Sequence, residues 1–356
     1  MYEATFELEA ITPVFMRGAN QSKAEFRASS IKGVMRWWFR ALAGNYFGND
    51  IAGLREAEGR IFGSAGSGGS RRSRITVTVQ NISPPRRLLF KPGVIDRNTR
   101  VGELGYLWFS IKLLSKKRQF EYYYPEHSKF MVSITSHDEK TFNVTLASLW
   151  AAVSLGGFGF RSRRGAGSMA FIGGDVQELE SLGLSWRFNS KSDISNSISR
   201  AISIVGENLG RTKLGDLSPS SYPILSPRTS YLGIWNPATD DAIEALKRFQ
   251  NKYSNFRRVR ISKQGRIVFG LPLKLKGKNT QNIRKYLDKL GSARRASPMI
   301  VGVTKVAGRI YIRTAKFVTN PYIPGDLDKI VSWYPLEKFD NELREEGVYG
   351  SLEVFQ

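Results

Sequence analysis

At 356 residues the chain is longer than one hydrophobic core usually grows, so two domains are expected. It carries 54 Lys and Arg against 31 Asp and Glu, a net charge of +23, and that much self-repulsion on a folded protein points to a polyanionic partner, nucleic acid first. The absence of cysteine excludes a disulfide framework, a thiolate metal site and a cysteine nucleophile. No run approaches the roughly eighteen apolar residues of a membrane span. The start MYEATFELEA lacks the basic and apolar regions of a signal peptide, so a soluble, cytoplasmic chain that avoids membranes is expected.

Glu3 to Ile11 alternates Phe6 and Leu8 with Glu7 and Glu9, the pattern of a half-buried strand. Ser29 to Gly44, SSIKGVMRWWFRALAG, predicts a helix capped by Ser29 or Ser30, with Ile31, Val34, Met35, Trp38 and Leu42 on one face. Lys32, Arg36 and Arg40 follow at i, i+4, i+8 on another face. Such a like-charge stripe costs roughly a few tenths of a kcal/mol per pair in an isolated helix, which points to an anion outside the chain. Trp38 belongs to the core; Trp37, at the margin, reads as core or protein interface ahead of a stacking platform.

A glycine-rich stretch, Gly63 to Gly69, precedes a β-branched strand from Arg74 to Val79. Tyr106 to Leu114 and Phe130 to Thr135 supply two further strands, Thr145 to Leu155 a helix ended by Gly156 and Gly157, and Met169 to Ile172 a short strand. That order is a ferredoxin-like βαββαβ unit. A second pass follows Trp186, with helices at Asp193 to Leu209 and Thr239 to Tyr253 and strands at Arg266 to Leu273, Pro298 to Val303 and Arg309 to Val318. Gly210 to Asn236 reads as a long loop or insertion. The expected class is α+β, two tandem ferredoxin-like (RRM-like) domains with antiparallel sheets and helices on one face, spanning 1–178 and 179–356.

Charge is unevenly shared. Lys247 to Lys316 holds twenty Lys or Arg and one acid, Asp288, whereas Asp326 to Gln356 has eight acids and three bases. A basic stripe with an acidic tail suggests nucleic acid on one side and a protein partner, or self-screening, on the other.

Catalytic constellations are scarce. His127 and His137 are the only histidines and show no metal-ligand spacing. Gly173-Gly174-Asp175 leaves one carboxylate where two metals need more. No metal, cofactor or catalytic residue is therefore expected. His137 beside Asp138, or a tyrosine such as Tyr124, is what a metal-independent endoribonuclease would have to use. A general RNA chaperone with RRM-like folds is a third class, but the usual aromatic strand signature is missing.

GSAGSGGSRRS from Gly63 lacks the Gly-Lys-Ser/Thr of a P-loop and reads as a flexible hairpin with Arg71, Arg72 and Arg74 at its exit. GGFGFRSRRGAGSM, Gly156 to Met169, is sharper. Its glycines allow positive φ and close approach, so successive N–H groups can point at one anion, while Arg161, Arg163 and Arg164 interleave with Phe158 and Phe160.

SSIKGVMRWWFRAL, FGSAGSGGSRRSRI and above all GGFGFRSRRGAGSM resemble the RAMP superfamily of CRISPR effector proteins. ITPVFMRGAN, with FGLPL at Phe269 and RRASPM at Arg294, narrows the resemblance to the family of subunit one of the type III-B Cmr complex. The similarity spans Ile11 to Met299. It implies a non-catalytic subunit that binds single-stranded crRNA and target RNA alongside other Cmr subunits, near the crRNA 3′ end and the end that engages target RNA, with no small-molecule substrate. The family motif positions fall on Lys32, Gly33 and Arg36 in the helix and on Gly157, Gly159, Arg163, Arg164 and Gly165 in the loop. With the basic residues already noted, the expected RNA-binding set adds Arg40, Arg71, Arg72, Arg74, Arg161, Arg294 and Arg295. RAMP members that process transcripts use histidines near the first strand or helix, and this sequence has none there.

Overall fold

The computed structural model describes residues 1–20, 22–65, 70–88, 100–111, 122–215, 220–262, 265–270, 296–320, 332–345 and 351–353. Arg294 and Arg295, the glycine run 66–69, and much of the acidic C-terminal segment lie outside them.

Strand β1 (Tyr2–Ala10) buries Ala4, Phe6, Leu8 and Ala10 on one face, as its alternation requires. Helices α1 (Ala28–Phe47) and α2 (Ile51–Phe62) follow, then β2 (Ile75–Asn81) and a two-residue ribbon of β3 (Arg86–Arg87) with β4 (Tyr122–Tyr123). β5 (Lys129–Ser136), α3 (Glu139–Ser154) and β6 (Met169–Gly174) complete the unit. The sheet order is β2-β5-β1-β6, antiparallel throughout, with Phe6 opposite Val132. Counting its four strands in chain order gives 4-1-3-2 when read from β6, the ferredoxin-like arrangement. Phe6 and Leu8 share one core with Met35, Trp38 and Leu42 of α1 and Leu149 and Trp150 of α3.

After α4 (Gln177–Ser181) comes α5 (Lys191–Asn208), closed at its N-terminus by a reciprocal Ser190–Asp193 capping box. Ile194, Ile198, Ala201 and Val205 of α5 join the same core as α1 and α3. A second βαββαβ order then begins with β7 (Ser230–Thr239), α6 (Ala242–Asn255), β8 (Met299–Val306), β9 (Arg309–Phe317), α7 (Tyr334–Glu345) and β10 (Ser351–Glu353). Its sheet runs β10-β7-β9-β8, again 4-1-3-2 and antiparallel.

The second sheet is covered on both faces. Met299, Val301, Val303 and Ile312 pack with Leu246 and Phe249 of α6 and Phe339 of α7, while Ile300, Ala315 and Phe317 join the first core. Phe317 meets both tryptophans of α1, with ring centroids 5.3 Å from Trp37 and 6.1 Å from Trp38. Lys305 on β8 pairs with Glu9 on β1 at 3.0 Å.

Several expected elements differ. The strand expected at Tyr106 to Leu114 is, as far as residue 111, a series of helical turns: Leu104, Leu107, Trp108 and Ile111 are buried at helical spacing. The strand expected from Arg266 is a 3₁₀ turn, Gly265–Phe269, burying Ile267, Val268 and Phe269 together. α1 starts one residue early, with Arg27 rather than a serine in the capping position and no side-chain bond there. α3 starts at Glu139, six residues before the expected Thr145, because the Asp138 carboxylate accepts from the Thr141 amide. The loop expected through Asn236 gives way at Ser230 to β7, a central strand. Among the described residues no helix is long and apolar enough to cross a membrane.

Candidate nucleic-acid interface

The stripe on α1 meets its own chain. Glu58 of α2, only 8% exposed, receives Arg36 Nε at 2.6 Å and Arg40 Nη1 at 2.9 Å. Lys32 Nζ donates to Ser73 Oγ at 2.6 Å, and burial, then Arg36, lowers its pKa. The like charges thus have a local reason to line up, a carboxylate on a helix that the sequence did not announce. Gly33 lies on the same face as Arg36 and Arg40, three and seven residues before them, and a Cβ there would meet nothing within 4 Å.

The loop from Gly156 to Ser168 is tightly tied. The Phe158 amide donates to the Gly167 carbonyl (2.9 Å), Phe160 to Phe15 (2.6 Å), Arg164 to Arg161 (2.7 Å) and Gly167 to Pro13 (2.9 Å). Those four amides are therefore engaged within the chain, unlike the anion-cradling arrangement expected of them. The glycines serve close packing instead. At Gly159, φ +87°, a Cβ would stand 2.6 Å from the Phe15 carbonyl oxygen, and at Gly165, φ +85°, it would collide with Leu246 of α6. Gly157 lies against the Gly167 carbonyl. Phe158 is fully buried, whereas Phe160 is 37% exposed, so Phe160 alone of the pair offers a ring to solvent.

Arg163 and Arg164 lie at the seam with β8. Arg163 Nη1 donates to the Ser297 carbonyl at 2.7 Å and its guanidinium lies 5.1 Å from the Trp37 ring centre. Arg164 donates to the carbonyls of Phe269 (3.0 Å) and Met299 (3.3 Å) and sits 5.5 Å from the Tyr253 ring centre. Trp108 Nε1 fixes the Arg164 carbonyl at 3.0 Å. Arg161, at positive φ, is partly buried with its Nε unpartnered among the described residues. Burial, then the Arg164 charge, brings its pKa down to about 10. Among the described residues no carboxylate pairs with Arg161 or Arg164. Trp37 joins the two regions, because it adjoins Arg36 on α1 and lies under Arg163.

Arg71 and Arg72 are exposed beside Ser73, the partner of Lys32, so they adjoin the first turn of α1. Arg74, also exposed, turns instead toward a cleft lined by Arg60 and Lys140. Sequence patterns missed Arg313 on β9. It is fully buried, donates Nη2 to the Gly156 carbonyl at 2.8 Å, leaves Nε and Nη1 unpartnered among the described residues, and has its pKa pulled to about 9 by burial. Its alternation with Ile312 and Thr314 was visible, but not that the other half of the chain covers its face.

The groups considered for catalysis are poorly placed. Tyr124 is buried, its hydroxyl 3.4 Å from the Ala24 carbonyl. Asp138, next to the exposed His137, directs its carboxylate to the amide and hydroxyl of Thr141. Among the described residues no three His, Cys, Asp or Glu side chains cluster to hold a metal.

The RAMP superfamily model matches residues 7–170, and the model described as Cmr1-like, C-terminal, matches 230–346. The CRISPR system Cmr subunit Cmr1-1 of Pyrococcus furiosus is 40% identical over 343 residues, covering 96% of this chain and 95% of that protein. The crystal structure of apo Cmr1 from Pyrococcus furiosus superposes with a TM-score of 0.73 at 34% identity, covering 100% of this chain and 99% of the other. A chain in a cryo-EM structure of the type III-B Cmr-beta complex bound to cognate target RNA shares the fold, with a TM-score of 0.62 at 13% identity over 96% and 99% of the two chains.

Proposed function

The chain belongs to the Cmr1 family of the RAMP superfamily, and from that premise we propose that it is a non-catalytic crRNA-binding subunit of a type III-B effector, placed near the crRNA 3′ end where target RNA enters. The observation that carries this reading is the Gly156–Ser168 loop, in which Arg161 and Arg164 pair with no carboxylate among the described residues while Arg163 lies against Trp37 of α1. Arg164 is held by carbonyl oxygens and an aromatic ring, which orient a guanidinium without neutralising it. Phe160 adds an exposed ring for stacking. Assembly with other Cmr subunits is supported by the Pyrococcus relative, itself a Cmr subunit, and contact with target RNA by the fold's occurrence in an RNA-bound Cmr complex. Packing of α5 with α1 and α3 supports a division of the chain nearer Ser230 than residue 178.

Single-stranded RNA should bind with a steep salt dependence. If about eight phosphates are contacted, log affinity falls against log salt with a slope of roughly −6. A slope near zero rejects the proposal. Labelled repeat RNA incubated with the protein in EDTA should stay intact, and cleavage would establish an endoribonuclease instead.

A further inference from the structure

A second basic feature lies well away from the seam. A cleft of about 440 Å³ opens between α2, the start of β2, the first turn of α3 and the end of α5. Its volume is within the range of small-molecule sites. Phe47, at the last position of α1, forms part of its wall, ten residues beyond Trp37 and so about 15 Å further along the helix axis. One phosphate group cannot serve both places.

Four cations face this cleft: Arg60, Arg74, Lys140 and Arg211. The two lining carboxylates are already engaged, Glu56 with Arg60 at 2.6 Å and Asp138 with Thr141. Arg74 and Lys140 are exposed and, among the described residues, form no ion pair within 4 Å, though the Arg74 charge helps lower the pKa of Asp138. The Arg211 guanidinium lies over Phe47, 3.8 Å from the ring centre, and pairs with Asp50 at 3.9 Å. Arg211 lines the cleft together with apolar Leu209 and Val144. Cations at one side and a guanidinium plane at the other match an anionic group joined to a flat heterocycle.

We propose that this cleft binds one nucleotide unit, its phosphate held by Arg74 and Lys140 and its base stacked on Arg211. The unit is either a free nucleoside monophosphate or the phosphorylated terminal nucleotide of an RNA strand. The site does not depend on the RNA path at Trp37, because a mononucleotide can bind here whether or not a strand runs there.

The test is calorimetric titration of the full chain with adenosine 5′-monophosphate and with adenosine, then competition between short RNAs that differ only in a terminal phosphate or hydroxyl. A free-nucleotide site gives saturable monophosphate binding that weakens at least about tenfold without the phosphate and at least about tenfold in Arg74→Ala/Lys140→Ala. A strand-end site gives instead at least about a tenfold preference for the phosphorylated RNA that disappears in the same variant. Lys140→Ala alone, which removes no fold contact among the described residues, repeats the measurement should the double variant unfold. The proposal is overturned if neither the monophosphate (to about 1 mM) nor the terminal phosphate is recognised, or if recognition is unchanged in the variants.

Discussion

The α1 stripe and the glycine-rich loop each carry three cations, yet the chain surrounds them differently. On α1, Arg36 and Arg40 share the nearly buried Glu58 and Lys32 is tied to Ser73. In the loop, Arg164 is held by two carbonyls of the other half of the chain and an aromatic face, and Arg161 has no acidic partner among the described residues. The one carboxylate offsets one of the stripe's three positive charges, whereas carbonyl dipoles fix geometry and leave the charge in place. Counting basic residues therefore overstates the stripe relative to the loop as a phosphate-binding surface.

The contrast can be broken from either side. The largest effect is expected for Arg36→Ala/Arg40→Ala, which strands a nearly buried carboxylate and should cost about 3 kcal/mol in chemical denaturation. A loss under about 0.5 kcal/mol would mean that the pairing is incidental. Next, Arg163→Ala/Arg164→Ala should cost about 2 kcal/mol through the lost carbonyl bonds. The same variant should flatten the salt slope of RNA binding by about 1.4, and an unchanged slope would detach these residues from the phosphates. Glu58→Gln should lose about 1 kcal/mol of stability while strengthening RNA binding at low salt, since two guanidinium groups are released; weaker binding would show that Glu58 aligns them for RNA. The smallest shift is expected for Gly33→Ala. With open space around it, the variant should gain up to about 1 kcal/mol from helix propensity, and an accompanying loss of RNA affinity would show that a ligand approaches α1 at that point.

Much of the scaffold was legible because its signals are local. The alternation in β1 and β9 depends on neighbouring residues alone. Where a run of β-formers also had helical spacing, as at Leu104, Leu107, Trp108 and Ile111, periodicity rather than composition decided the outcome. The candidate site was half legible. Its cations stand out in the sequence, but their partners come from distant segments: Glu58 eighteen residues beyond Arg40, and the Met299 carbonyl 135 residues beyond Arg164. Arg313 shows the same limit, since nothing local marks it as covered by Gly156.

That β8 and β9 lie between two cores has a consequence for how the molecule comes apart. Neither half can loosen without wetting apolar surface that belongs to the other, and Arg313 holds the seam from within. The chain should accordingly melt as one cooperative body, with a single calorimetric peak whose van't Hoff and measured enthalpies agree.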